Sequence, residues 1–148
     1  MNIKKYFLQK QVIENYKKKF KDDLKLGNDG ENEIKPIIEK MFDTQFLFTE
    51  KSHNWDFIDA DNKIYVELKT RRIKHNKFKT LYFSYAKKRF IDKNPNYDYY
   101  VFFKCLDGIY YFKYSEDKIF ISYGGRNDRG KNEYKKVCNV YTKYLIKV

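Results

Sequence analysis

The chain has 148 residues, of which 42% are hydrophobic, 20% aromatic and 35% charged, with a formal net charge of +12. That length suits one domain with its own core, and the aromatic content argues against disorder despite the charge. No run of about 18 apolar residues occurs, the N-terminal stretch MNIKKYFLQKQ has no apolar leader core, and Cys105 and Cys138 form no zinc pattern. A membrane span, a secretory leader and a cysteine-built zinc site are therefore not expected, and the two thiols read as buried and free. The basic balance points to a polyanionic partner, nucleic acid being the commonest; the competing reading is solubility plus compositional bias.

Residues 4–22 read as a basic helix, with Tyr6, Phe7, Val12, Ile13, Tyr16 and Phe20 spaced along one stripe. Gly27-Asn28-Asp29-Gly30 reads as a break. A second helix follows near 30–42, where Ile34, Ile37, Ile38, Met41 and Phe42 repeat at helical spacing and Pro36 falls in the opening turns. The period then changes. A strand is expected at 45–49, and strands at 55–60 and 63–69 alternate about a two-residue turn, Asp61-Asn62. A basic stretch, KTRRIKHNKFK (69–79), leads to a strand at 80–84 and a helix near 85–93. Strands at 97–103 and 109–114 meet at Asp107-Gly108, a short strand is expected at 118–122, and GGRNDRGK (124–131) precedes a final strand near 139–147. The reading is α/β (α+β), a mixed sheet flanked by helices in a single domain.

The chemistry concentrates in WDFIDADNKIYVELK. With the turn at Asp61-Asn62, Asp56 lies directly opposite Glu67, their Cβ atoms about 4.5–5.5 Å apart. Strand alternation places Lys69 on the face of Glu67. Opposed carboxylates repel, and an adjacent cation, most simply a divalent metal, removes the penalty. The alternative is a solvent-facing strand edge carrying a Glu–Lys pair. Upstream, Glu31 falls on the side of Ile34 and Ile38 and Glu33 on that of Ile37 and Met41; either could add a carboxylate or simply favour its helix N-terminus, and Glu31 is preferred.

Around the acids lie Arg71, Arg72, Lys74, Lys77 and Lys79 on the basic stretch, Lys87 and Lys88 on the helix beyond it, and Arg126 and Arg129 in the glycine-rich loop. These cations suit a nucleic-acid backbone, or else form a solvated loop and a plain turn. His53 and His75 are the only histidines, which disfavours a multi-histidine zinc hydrolase.

These segments resemble the PD-(D/E)XK nuclease superfamily. GNDGENEIKPIIEKMF matches its helix with a glutamate, WDF its aspartate and YVELKTR its Glu-x-Lys strand, over residues 27–103. Trp55 stands where that family usually has proline. Residues 1–26 then form an N-terminal helical extension and 104–148 a C-terminal extension of strands and basic loop, similar to small nucleases of phages and large DNA viruses. The resemblance implies a restriction-endonuclease-like fold and an intracellular, soluble enzyme, in the cytoplasm or host nucleus. It implies hydrolysis of DNA phosphodiesters with Mg²⁺, for which Mn²⁺ could substitute. Asp56, Glu67 and the Leu68 carbonyl would hold the metal, with Lys69 the catalytic cation and Glu31 the auxiliary acid. A junction resolvase acting as a homodimer and a non-catalytic nucleic-acid-binding module are the alternatives, and no dimer surface is legible.

Overall fold

The computed structural model describes residues 3–124 and 135–148, with side chains from residue 10 onward. Helix α1 (Ile3–Phe42) runs without a break. The interruption expected at Gly27–Gly30 is absent because Gly30 is packed tightly under the sheet. A Cβ there would meet Thr70 Oγ1 at 2.9 Å and Leu68 Cδ2 at 3.2 Å, so only glycine admits this approach. Pro36 lies inside the helix at an exposed position. Its missing N–H costs about 3 kcal/mol, offset by burying Ile34 and Ile38 at about 1.5–3 kcal/mol each. The helix stops at a left-handed Asp43 (φ 51°), with the Thr44 N–H donating to the Glu39 carbonyl at 3.1 Å, the hydrogen bond of a Schellman ending. Val12, Ile13, Phe20 and Leu24 are exposed, so the N-terminal half of the helix does not cover the core.

Strands β1 (Leu47–Phe48), β2 (Phe57–Asp59), β3 (Ile64–Thr70), β4 (Thr80–Ser84), helix α2 (Tyr85–Lys93), β5 (Asp98–Cys105), β6 (Gly108–Lys113), β7 (Ile119–Gly124), β8 (Lys135–Tyr141) and β9 (Ile146–Lys147) follow. They form two sheets rather than one: β1-β2-β3-β5-β6-β9, with β3 and β5 parallel, and an antiparallel β4-β8-β7. The expected final strand divides into β8 and β9. The hairpin register is the expected one, Phe57 opposite Val66 and Asp59 opposite Ile64, but four residues turn the chain instead of two. Lys63 takes a left-handed conformation (φ 55°), and Asp59 accepts hydrogen bonds from the Asn62 side chain and the Thr44 hydroxyl. At the β5–β6 hairpin, Cys105 pairs with Gly108, which places the turn at Leu106-Asp107.

The layers follow from strand alternation. Val66, Leu68 and Phe102 pack against Ile34 and Ile38 of α1. Tyr65, Val101 and Phe103 face the other way, onto Leu81 and Phe83 of β4, Ile91 of α2 and Cys138 and Val140 of β8. The molecule is thus α1, then the six-stranded sheet, then α2 with the smaller sheet: a mixed α+β fold built like a restriction endonuclease core. Among the described residues no helix is long and apolar enough to cross a membrane.

Candidate active site

Asp56 sits one residue before β2. Its backbone N–H donates to the Val66 carbonyl at 3.1 Å, and its Oδ2 accepts the Leu68 N–H at 2.8 Å. In an extended strand the N–H and C=O of one residue point to the same neighbour. The Leu68 carbonyl therefore faces Asp56's side of β3, beyond Phe57–Val66, the last paired residues of the β2–β3 ladder. The expected opposition of Asp56 and Glu67 thus becomes an aspartate capping the strand bond next to Glu67.

Glu67 lies on the face opposite Leu68 and is only 1% exposed. Lys69 Nζ is 2.6 Å from its Oε1, and Lys87 Nζ, from α2, is 3.0 Å from its Oε2. Oε2 nonetheless makes no hydrogen bond among the described residues, so Lys87 neutralises charge there without an aligned N–H. Lys87 is 9% exposed and sits over Trp55. Expected from the sequence to contact nucleic acid, it is instead buried against Glu67. The signal was available: Lys87 precedes the buried Ile91 by four residues, on the same helix face.

Because Gly30 brings α1 onto β3, Glu31 reaches the same place and shares a hydrogen bond with Asp56. Glu33 points elsewhere and pairs with Lys104. Of the two helix glutamates, Glu31 thus lies beside Asp56 and Glu33 beside Lys104.

Burial, then the negative charge of Glu67, pushes the Asp56 carboxyl up to about 8, against the opposing pull of the Leu68 N–H. Burial also raises Glu31, against the hydrogen bond from Asp56. Asp56 is thereby biased toward its protonated form, and the cluster sets three carboxyl groups, Glu31, Asp56 and Glu67, beside two lysines, Lys69 and Lys87. Among the described residues no three His, Cys, Asp or Glu side chains converge into a ready-made metal cage. The donor set still fits a hard divalent ion. It consists only of oxygens, and one buried carboxylate oxygen lacks a hydrogen bond among the described residues.

Glu31, Asp56, Glu67 and Lys69 line one cleft of about 550 Å³, together with Arg71, Arg72, Phe78 and Tyr82. Arg71 donates to the Tyr82 carbonyl at 2.6 Å, and Arg72 pairs with Asp23 of α1 at 3.0 Å. Lys74, Lys77 and Lys79 are exposed on the 71–79 segment. That segment is pinned by His75, whose backbone N–H (2.8 Å) and Nδ1 (2.6 Å) meet Asp107. Against desolvation, which acts upward, those hydrogen bonds hold Asp107 at about 2. Lys88 lies outside the cleft, paired with Asp92 at 2.8 Å. Arg126 and Arg129 fall outside the described residues.

A mixed sheet bringing an aspartate and a Glu-x-Lys strand into one cleft, beside a helix glutamate, defines a nuclease of the PD-(D/E)XK class. The family model described as "Phage putative PDDEXK endonuclease" matches residues 21–148, and the chain belongs to that family. No curated protein matches the chain.

Proposed function

We propose that the protein is a metal-dependent DNA endonuclease using Mg²⁺, with Mn²⁺ as a substitute. The observation that carries this reading is the convergence of Asp56, Glu67, Glu31 and Lys69 on one cleft in a chain of net charge +12. Asp56 and Glu67 would hold the ion by their carboxylates and Leu68 by its carbonyl. When bound, the ion supplies a more acidic water and neutralises charge on the leaving oxygen.

The chain's own groups do the rest. Lys87, buried, pairs with Glu67 and fixes it in place. Lys69, 28% exposed, presents its remaining N–H groups to the cleft, where they orient the attacking water and stabilise charge on the scissile phosphate. Glu31, raised by burial, would exchange a proton with the attacking water or help hold the ion. Arg71 and Arg72 at the cleft, with Lys74, Lys77 and Lys79 beyond it, follow the sugar–phosphate backbone. The test is nicking of DNA by purified protein with Mg²⁺ or Mn²⁺, compared with chelator and with Asp56→Ala, Glu67→Ala and Lys69→Ala. Metal-independent, salt-dependent binding with no cleavage would instead describe a nucleic-acid-binding module.

A further inference from the structure

The cleft opens at one edge onto the outer face of the three-stranded sheet, and that face is built in an unusual way. Its inner side is core: Leu81, Phe83, Cys138 and Val140 are buried. By strand alternation the outer side carries Tyr82 of β4, Asn139 and Tyr141 of β8 and Phe120 of β7, with Tyr144 just past β8. Tyr82 and Phe120 flank Asn139 from its two neighbouring strands. Tyr82, Phe120, Tyr141 and Tyr144 are each 36–41% exposed, too much for a core and too uniform for scattered surface residues.

The rings are held rather than loose. Phe120 and Tyr141 lie 5.2 Å apart, and Tyr141 meets Tyr144 edge-on at 6.3 Å. Asn139 is buried between the strands, donating to Ser122 Oγ at 2.7 Å. Cations accompany the rings: Arg71 lies over Tyr82 at 5.2 Å, and Lys143 lies over Tyr141 at 5.5 Å and Tyr144 at 5.1 Å. Tyr82 belongs to both the cleft wall and this face, so the two surfaces are continuous.

We propose that this outer face is a stacking platform for unpaired bases, so that the endonuclease takes a single-stranded nucleic-acid segment leading into the cleft. The inference rests on the endonuclease reading for the cleft's role and adds the substrate class. Exposed rings flanked by cations suit bases whose π-faces are free and whose phosphates are anionic. A duplex hides those faces within its own stack. Aromatic and arginine anchors also serve protein interfaces, so the test for concentration-dependent dimers separates that occupant from a single strand.

The experiment measures binding by fluorescence anisotropy in chelator, so that it reads this face independently of cleavage. The probes are a labelled oligothymidylate about 15 nucleotides long and a duplex of the same length. Wild type is expected to bind the single strand at least about tenfold tighter than the duplex, and Phe120→Leu/Tyr141→Leu to lose about tenfold or more of that affinity. Leucine keeps apolar bulk at exposed positions but removes the π-face, and a thermal melt confirms the fold. Leucine variants that bind like wild type overturn the platform, as does tighter binding of duplex. Concentration-dependent dimers that vanish in the variant also overturn it, since the face would then be an interface between copies. Magnesium-dependent cleavage, assayed separately, reports on the endonuclease reading alone.

Discussion

Lys87 on α2 and Glu67 on β3 face each other at 3.0 Å inside the protein, a contact joining the helix of the β3–β5 crossover to the strand that carries the Glu-x-Lys pattern. Glu67 is thereby gripped by two lysines, Lys69 on its own strand and Lys87 from across the layer. Removing Lys87 leaves a buried carboxylate with half its counter-charge. Lys87→Met should cost about 3 kcal/mol, the lower end for a broken buried pair because Lys69 remains. The thermal midpoint should fall by roughly 6–12 °C. Adding Glu67→Gln should recover most of the loss, and no recovery would show that Lys87 acts through packing alone.

Asp56 gives the protein a pH dependence of defined sign. Its carboxyl moves from an ordinary 3.8 to about 8 on folding. Between those values the folded chain keeps a proton that the unfolded chain has released, so stability falls as pH rises from about 4 to about 8 and then levels off. Asp56→Asn preserves an acceptor for the Leu68 N–H and removes the titration. Its stability advantage, measured by urea denaturation without divalent ions, should be small at pH 5 and larger at pH 8. On the metal role proposed for Asp56, Mg²⁺ would displace the same proton, and its stabilisation of wild type should grow over that interval. A pH-independent gap would place the shift elsewhere.

Gly27 and Gly30, both on α1, should answer in opposite directions. Gly27→Ala meets nothing within 4 Å and gains helix propensity, a stabilisation of about 0.5–1 kcal/mol. Gly30→Ala drives a methyl into Thr70 Oγ1 and Leu68 Cδ2, and should destabilise by about 1–3 kcal/mol while lifting Glu31 away from Asp56. Chemical denaturation of both variants reads the contrast, and equal effects would mean the helix does not approach β3 this closely.

Local pattern was legible where local physics decides. β4 and α2 fall at 80–84 and 85–93 as read, because alternation ends at Ser84, whose hydroxyl accepts the Ala86 N–H and caps the helix. The hairpin register survived a wrong turn length, since burying Phe57 with Val66 fixes the pairing whatever the loop. Long-range contacts were not legible. Helix α1 continues through Gly27–Gly30 because β3 packs on it, and β4 pairs with β8, far along the chain, giving two sheets where one was expected. The placement of Lys87 was obscured by its neighbours Lys88 and Arg89, which made a buried cation look like part of a solvated cluster.

The most direct measurement is nicking of plasmid DNA by wild type, Glu67→Gln and Lys69→Met, in Mg²⁺ and in chelator. Wild type is expected to cleave only when Mg²⁺ or Mn²⁺ is present, and each variant to lose about 100-fold or more of that activity. Cleavage that persists in chelator, or variants as active as wild type, would contradict metal-dependent hydrolysis at Glu67 and Lys69.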